Sequence, residues 1–490
     1  MNFGLQVSHY TRGLLCLLTI FLLSVSNSYS QLIEKAPPSP VVVTTSIADS
    51  LNQNITISNI VLTGYKRTKP YIIQREIPFK EGDTISSKDL NATLTLCKQR
   101  LMNTTLFVDV TVNALRIDSS AIKVRILVKE RWYFFPIPYF KIVSRNLNTW
   151  WVEEKRRLDR VEYGLKFMQK NVTGRNDNLN LWFVSGYTQQ VSLRYDNPNI
   201  DKKLQNGINV GVGYKRSREL NYGMDSVLPN KLGFFKQEDR FIYNQWYVDF
   251  SYIYRPAIKT RHIVRTSYSN FSISDTVVKL NPDYLPSRTN KANIAEISYT
   301  LEYTNLDYNP YPLKGFAGDA SLHKRFGKNA DMWQLNARGN YALKFAPSSF
   351  LQFQAAGLFR LPFKQPYISN YLMGSADLYM RGLEYYVVQG AAGGVARATL
   401  KNNVLSLNVR NPIKSKTHDK VPVRIFLKTF GDLGYSYTPR VGISRLNNKL
   451  LRTWGAGVDV VTFYDIVVKL EYSFNQLGES GLFIHTQTDF

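Results

Sequence analysis

The run Trp246-Tyr247-Val248-Asp249-Phe250-Ser251-Tyr252-Ile253-Tyr254-Arg255 decides the fold. Trp246, Val248, Phe250, Tyr252 and Tyr254 fall on one side of an extended chain, and Tyr247, Asp249, Ser251 and Arg255 on the other. Side chains of a strand point alternately to its two faces, so a period of two marks a half-buried strand. The pattern recurs. Val191, Leu193 and Tyr195 alternate with Ser192, Arg194 and Asp196. Ile208, Val210, Val212 and Tyr214 alternate with Asn209, Gly211, Gly213 and Lys215. Ile297, Tyr299, Leu301 and Tyr303 alternate with Glu296, Ser298, Thr300 and Glu302. Val468, Leu470, Tyr472 and Phe474 alternate with Lys469, Glu471 and Ser473.

Two architectures produce such alternation. A soluble sandwich buries the apolar face, and a membrane barrel turns it out to lipid. Arg194, Glu296 and Lys469 would be costly in lipid but sit well in a wet lumen. Aromatic residues make up 13% of the chain, with 31 Tyr and 27 Phe, and Tyr and Trp suit the girdles at membrane interfaces. The N-terminus reads as a secretory signal: Arg12, an apolar run over 14–23 too short to span, and Ser28-Tyr29-Ser30 before a cleavage site at Gln31. Cys16 follows Leu15 rather than a small residue, which is not a lipoprotein signal. These features favour the barrel, which must close because an open edge in hydrocarbon leaves backbone groups unpaired. The reading is a mainly β chain: an antiparallel transmembrane β-barrel over 140–490. Its first strand starts near Val161, over 161–167, just after Lys155-Arg156-Arg157. Its last strand carries Leu482, Ile484, Thr486, Thr488 and Phe490 on one face.

Composition bounds the alternatives. The 490 residues allow two to four domains, and 44% hydrophobic with 20% charged residues excludes a collagen, a disordered tail or a polytopic helical membrane protein. Two cysteines exclude a disulfide scaffold and a multi-Cys zinc fold, and cleavage of the signal (1–30) leaves only Cys97. Residues 31–52, with Pro37, Pro38 and Pro40, read as an extended linker.

Residues 53–132 read as a small α/β module. Ile55, Ile57 and the run 60–62 form a strand, Gly64 turns the chain, and Pro70 to Glu76 has helical spacing. Gly82-Asp83 breaks it. Ser86 or Ser87 caps a second helix that sends Leu90, Leu94, Leu96, Cys97 and Leu101 to a core. A strand with Phe107, Val108, Val110 and Val112 follows, and then one with Ile122, Val124, Ile126 and Val128 facing inward.

This module resembles a POTRA domain, the periplasmic unit of the BamA/TamA outer-membrane insertase superfamily, also called the bacterial surface antigen family. The resemblance is carried by Gly64 and Thr68, Arg75-Glu76, Gly82, Leu101, Phe107-Val108 and Val128-x-Glu130. The barrel carries further marks. Asp307-Tyr308-Asn309-Pro310 with Pro312 and Lys314-Gly315 resembles the family's turn motif. Met380, Arg381, Gly382 and Leu383 resemble its "VRGF" loop, and Phe430, Asp432 and Gly434 match its "FxDxG" wall motif. The aromatic end at Phe490 resembles the terminal signal of outer-membrane barrels. The resemblance implies sixteen strands and a loop folded into the lumen with Arg381 paired to Asp432. A planar guanidinium and a carboxylate suit a bidentate bond. Asn408 stands where some relatives carry a second acid.

No GxSxG, HExxH or Walker loop occurs, and none of the five histidines, His9, His262, His323, His418 and His485, has metal-ligand spacing to another. No enzyme activity, metal or cofactor is expected. The net charge of +25 could suggest nucleic acid, but in an exported barrel it suits anionic outer-membrane lipids better. The resemblance implies an outer-membrane protein of a Gram-negative cell, its N-terminal domain in the periplasm. It would assemble or translocate unfolded outer-membrane or secreted client proteins by strand templating at the seam, with accessory lipoproteins as possible further partners. The alternatives are a passive solute pore or surface-exposed barrel on the same scaffold, and a transporter dedicated to one secreted partner.

Overall fold

In the computed structural model the alternating runs join one antiparallel sheet of sixteen strands, preceded by a four-stranded α/β domain. The structure describes residues 54–485 except 119, 143–160, 202, 225–229, 231, 374–377, 411–419, 440–444 and 463–464. The signal, the linker, Lys155-Arg156-Arg157, His418, Thr486, Thr488 and Phe490 lie outside the described residues.

The N-terminal domain runs β1 (Asn54–Thr63), α1 (Pro70–Glu76), β2 (Thr84–Ser86), α2 (Ser87–Asn103), β3 (Phe107–Arg116) and β4 (Ala121–Glu130). Its sheet order is β2-β1-β4-β3, with β1 and β4 parallel and the other pairs antiparallel. Ile55, Ile57, Leu90, Leu94, Cys97, Leu101, Val110 and Ile126 share one buried core. Leu96 does not join it and is exposed. It sits two places past Leu94, about 200° around the helix and off the buried stripe. Ser86 holds the cap position of α2 without a side-chain cap bond. Gly64, at φ +90°, turns beneath Val128, whose carbonyl would lie 2.0 Å from any Cβ there.

The large sheet begins with β5 (Phe134–Ile142), β6 (Val161–Lys170), β7 (Asn178–Gly186), β8 (Thr188–Asn197) and β9 (Asn206–Ser217). A side hairpin, β10 (Glu219–Met224) and β11 (Leu232–Lys236), precedes β12 (Tyr243–Ala257) and β13 (Thr260–Ile273). After α3 (Asp275–Leu280) come β14 (Lys291–Leu306), β15 (Gly315–Phe326), β16 (Met332–Lys344) and β17 (Ser349–Leu361). A loop with the short pair β18 (Tyr371–Met373) and β19 (Val388–Gln389) leads to β20 (Ala392–Arg410) and β21 (Lys420–Tyr437). The sheet ends with β22 (Leu450–Val461), β23 (Val467–Asn475) and β24 (Ser480–His485).

Two expectations need correction. The sheet starts at Phe134, not 140, and Val161 opens its second strand, not its first. Pro136 and Pro138 hide β5 from a propensity reading, because proline cannot donate within a ladder and reads as a break. An edge strand tolerates it.

The apolar face points outward. Val248 is 42% exposed and Tyr299 44%, while Asp249 and Ser251 beside them are each 2% exposed. A sandwich would show the reverse, so the sheet is a barrel with a polar lumen. Lumenal charges find partners: Arg194 meets Asp249 at 3.1 Å and Arg325 meets Glu296 at 3.0 Å. The two ends of the sheet come round toward each other. Arg131, just before β5, reaches Asp465 in the β22–β23 turn at 2.6 Å. Among the described residues no ladder joins β5 to β24.

Candidate functional site

On β21, Phe430 and Asp432 share the inner face, and Leu433 and Tyr435 point outward. The long β17–β20 loop folds back into the lumen and sets Met380-Arg381-Gly382-Leu383 against that face. Arg381 Nη2 donates to Asp432 Oδ1 at 2.5 Å and its Nε to Oδ2 at 3.0 Å, while its backbone N–H reaches Oδ2 at 3.2 Å. Arg381 is 5% exposed and Asp432 2%. The third nitrogen, Nη1, donates to Thr399 Oγ1 at 3.0 Å. The guanidinium carbon stands 4.0 Å from the centre of the Phe430 ring, a cation–π stack.

Each position of the wall motif thus has a separate task. Phe430 carries the guanidinium face, Asp432 takes its fork, and Gly434 leaves room: a Cβ there would lie 2.9 Å from Met380 Sδ. Gly382 turns the loop at φ +84°, and its carbonyl accepts from Asn475 Nδ2 at 2.8 Å. Leu383 is buried with Leu372, Met380, Val395, Leu446 and Leu451, so an aliphatic side chain fills the loop's apolar seat.

The second acid near Arg381 is not Asn408. That residue pairs with Pro422, whereas Thr399 pairs with Phe430, which sets Asn408 roughly 30 Å along β20 from the site. Glu471 on β23 fills the role, its Oε1 3.8 Å from Arg381 Nη1. Lys428 Nζ lies between Glu471 Oε1 at 2.6 Å and Asp459 Oδ1 at 2.5 Å. Tyr311 donates its hydroxyl to Asp459 Oδ2 at 2.8 Å, and Lys401 Nζ sits 3.9 Å over the Tyr311 ring. On the other side, His485 Nε2 is 3.3 Å from both Glu471 Oε2 and Glu384 Oε1. Its ring stacks on Tyr379 at 5.3 Å. A line of polar and charged contacts therefore runs from the loop through the wall to β24. Sequence reading missed Thr399, Lys428, Asp459 and Glu384. Period-two alternation marks inward residues, but not which distant strand they face.

The turn motif works at the end nearest the N-terminal domain. Asp307 Oδ1 accepts from the amides of Leu313 and Lys314, each at 3.0 Å, and Tyr308 donates to Asp465. Asn103 at the end of α2 accepts from the Asn309 amide at 3.0 Å and donates to the Leu306 carbonyl at 3.1 Å. Arg255 pairs with Glu76 at 3.2 Å across the same junction. Thr68 accepts from Asn171 of the β6–β7 turn at 2.9 Å. Glu130 accepts from the amides of Arg67 and Thr68. Burial pushes the Glu130 carboxyl up, but bonds from the Thr68 side chain and from the amides of Thr68, Arg67 and Lys66 outweigh it and hold it below the usual glutamate range. Leu482 points outward opposite Tyr472, and Ile484 lies opposite Leu470 on the same face of β24.

The arrangement matches acids to cations. It braces a loop against a wall.

Residues 55–131 match the POTRA family, described as a surface antigen variable number repeat. Residues 171–458, more than half the chain, match the Omp85 superfamily domain. No curated protein matches. Among solved structures, the chain is similar to BamA from Haemophilus ducreyi lacking POTRA domains 1–3, at 13% identity and TM-score 0.46, covering 88% of this chain and 83% of that one. It is also similar to CdiB from Acinetobacter baumannii, at 9% identity and TM-score 0.44, over 88% of this chain and 73% of that one. CdiB from Escherichia coli gives 9% identity and TM-score 0.44 over 99% and 98%. With a POTRA domain leading into a sixteen-stranded barrel whose central span matches the family domain, this chain belongs to the Omp85 superfamily.

Proposed function

We propose that this protein assembles or translocates other proteins at the outer membrane, with its POTRA domain in the periplasm, by offering strand edges to a client. The observation that carries the proposal is the uneven height of the wall. On the N-terminal side of the seam the third and fourth strands, β7 and β8, have nine and ten residues, and β23, next to the last strand, has nine. In the middle of the sheet β12, β13 and β14 have fifteen, fourteen and sixteen, and β21 and β20, fourth and fifth from the C-terminal edge, have eighteen and nineteen. A tilted membrane strand needs about 9–11 residues to cross. β7, β8 and β23 therefore only just span hydrocarbon, and a bilayer thinned beside them eases entry of a client strand at the N-terminal side of the seam.

The other parts serve that task. The ten-residue β3 is an outer strand of the POTRA sheet, and strand addition there holds an extended segment through main-chain bonds without sequence demand. The Arg381 loop props the wall that leads to the last strand. The exchange is hydrogen bond for hydrogen bond, with no covalent step and no cofactor.

The test is depletion of the protein followed by outer-membrane proteomics, with heat-modifiability gels to separate folded from unfolded barrels. A broad loss of folded barrels supports a general insertase. Loss of one or two species marks a dedicated translocator. No change in any other protein overturns the proposal in favour of a passive pore.

A further inference from the structure

Between α2 of the POTRA domain and the barrel mouth lies a cleft of about 920 Å³. α2 forms one wall, and the β12–β13 and β14–β15 turns form much of the other. Along α2 the cleft meets Asn91, Thr95, Gln99 and Asn103. Each lies four residues from the next, so they are neighbours on the helix surface. Asn103 is engaged with the β14–β15 turn, and the Thr95 hydroxyl donates to the Asn91 carbonyl at 2.7 Å. Among the described residues the side-chain amides of Asn91 and Gln99 have no hydrogen-bond partner.

The cleft is basic. Arg100 on α2, Arg255 near the end of β12, Lys259 in the turn after it, Arg261 on β13 and Lys314 in the β14–β15 turn all line it. Of the carboxylates there, Glu76 pairs with Arg255 at 3.2 Å and Glu302 with Arg261 at 3.8 Å. Asp307 accepts from the amides of Leu313 and Lys314. Among the described residues Arg100, Lys259 and Lys314 have no ion-pair partner. The excess of positive charge is felt at Arg75, beside Glu76. Burial, and then the charges of Arg255 and Arg261 against the opposing pull of Glu76, lower its guanidinium to about 10. Past Glu302, Thr304, Leu306 and Asn309, a second cavity of about 270 Å³ leads on to Asp319, Arg338 and Asn340 on the inner face of β15 and β16.

From Asn91 to Asn103 the helix wall is about 18 Å long, the span of about five extended residues. An extended main chain offers donors and acceptors to side-chain amides. The three unpaired cations stand on three separate elements. Carboxylates spread along a chain can meet all three, whereas a single phosphate gathers donors that converge on it. We propose that this cleft binds an extended acidic segment of polypeptide, with the α2 amides holding its main chain and Arg100, Lys259 and Lys314 its carboxylates. That the segment belongs to a client rests on the function proposed above.

The experiment uses the full-length protein in an uncharged detergent, its fold checked by the temperature at which the folded band converts in gels. The probes are two fluorescent peptides that differ only in carrying Glu or Gln at alternate positions, read by anisotropy at low salt. Strand addition at β3 works through main-chain bonds and holds both alike, so the difference between them reads the cleft. The expected result is that the Glu peptide binds about tenfold tighter, and that Arg100→Gln, Lys259→Gln and Lys314→Gln combined remove most of the difference. Equal binding of the two peptides, or a preference that survives the triple variant, overturns the proposal. Displacement by inorganic phosphate, at a matched ionic strength where acetate has no effect, overturns it in favour of a phosphate site. If the triple variant fails to fold, Gln99→Glu carries the test: a carboxylate added to the α2 wall should weaken the Glu peptide severalfold and leave the Gln peptide unchanged, and equal effects on both overturn the proposal. In cells the triple variant should lower the folded fraction of client barrels. Normal client folding with the peptide preference lost keeps the cleft as a binding site and overturns the client as its occupant.

Discussion

Glu471 on β23 lies 3.3 Å from His485 on β24, and the same carboxylate reaches Lys428 at 2.6 Å and Arg381 at 3.8 Å. One acid thus ties the lumenal loop, the wall and the last strand. Glu471→Gln keeps the shape and removes the charge. Breaking a buried pair costs about 3–5 kcal/mol, and the low end applies here because Asp459 still holds Lys428. The variant should convert to the unfolded form at a lower temperature in detergent gels. A conversion temperature equal to the parent's would show that the carboxylate bears no part of the tie.

Arg381 and Asp432 form a second test of the brace. Arg381→Ala and Asp432→Ala should give the same assembly defect, and the double variant little further loss, because each single change already leaves the other charge stranded. Arg381→Lys should rescue neither. A lysine cannot span both carboxylate oxygens or lay a flat face on Phe430, 4.0 Å away. Additive defects in client assembly would mean that the two residues act separately.

Much of this structure was legible before any coordinates, for reasons that particular residues make plain. Trp246 to Arg255 announced a strand, since polar and apolar side chains cannot alternate so strictly and serve any other period. Which way the apolar face pointed was not in that pattern; exposure of Val248 and Tyr299 decided it. Arg381 and Asp432 were legible because a motif ties each to its place on loop and wall. Glu471, Lys428 and His485 were not, because their pairing depends on closure that brings distant strands round to one lumen. β5 was lost for the opposite reason, as its two prolines argue locally against the strand that the barrel makes of them.

The pH response of the junction follows from Glu130. Its folded pKa lies below the ordinary value, so its contribution to stability is fully present above the unfolded pKa and is lost as pH falls through the folded one. Acidification below the usual glutamate range should therefore loosen the loop at Arg67 and Thr68 first. Hydrogen exchange at those two amides should accelerate on acidification beyond the intrinsic pH trend. Glu130→Gln should show faster exchange at neutral pH and no such step. A step of the same size in the variant would assign it to another group.

Cys97 is fully buried in the core of the POTRA domain, and burial pushes its thiol up to about 12. It is the one cysteine among the described residues. Reaction with a thiol reagent at pH 8 should be negligible in the folded domain and follow its opening, because the thiolate is the nucleophile and neither it nor the reagent has access. Urea should raise the rate in step with loss of domain structure. Rapid labelling without denaturant would show that α2 opens readily against the sheet.

Two glycines of the loop site separate close fit from backbone strain. A Cβ at Gly434 would meet Met380 Sδ at 2.9 Å, but a thioether on a flexible side chain can give way, so Gly434→Ala should cost about 1 kcal/mol. Gly382 sits at φ +84°, and a Cβ there would press on Ser473 at 3.1 Å and on the Phe474 carbonyl at 3.3 Å. Left-handed backbone and packed strand oppose that side chain together, so Gly382→Ala should cost more than about 1 kcal/mol and lift the loop from β23. The order is the prediction: Gly382→Ala should expose the Arg381–Asp432 pair and lower the conversion temperature further than Gly434→Ala. The opposite order would mean that the seat of Met380, rather than the turn after Arg381, holds the loop in the lumen.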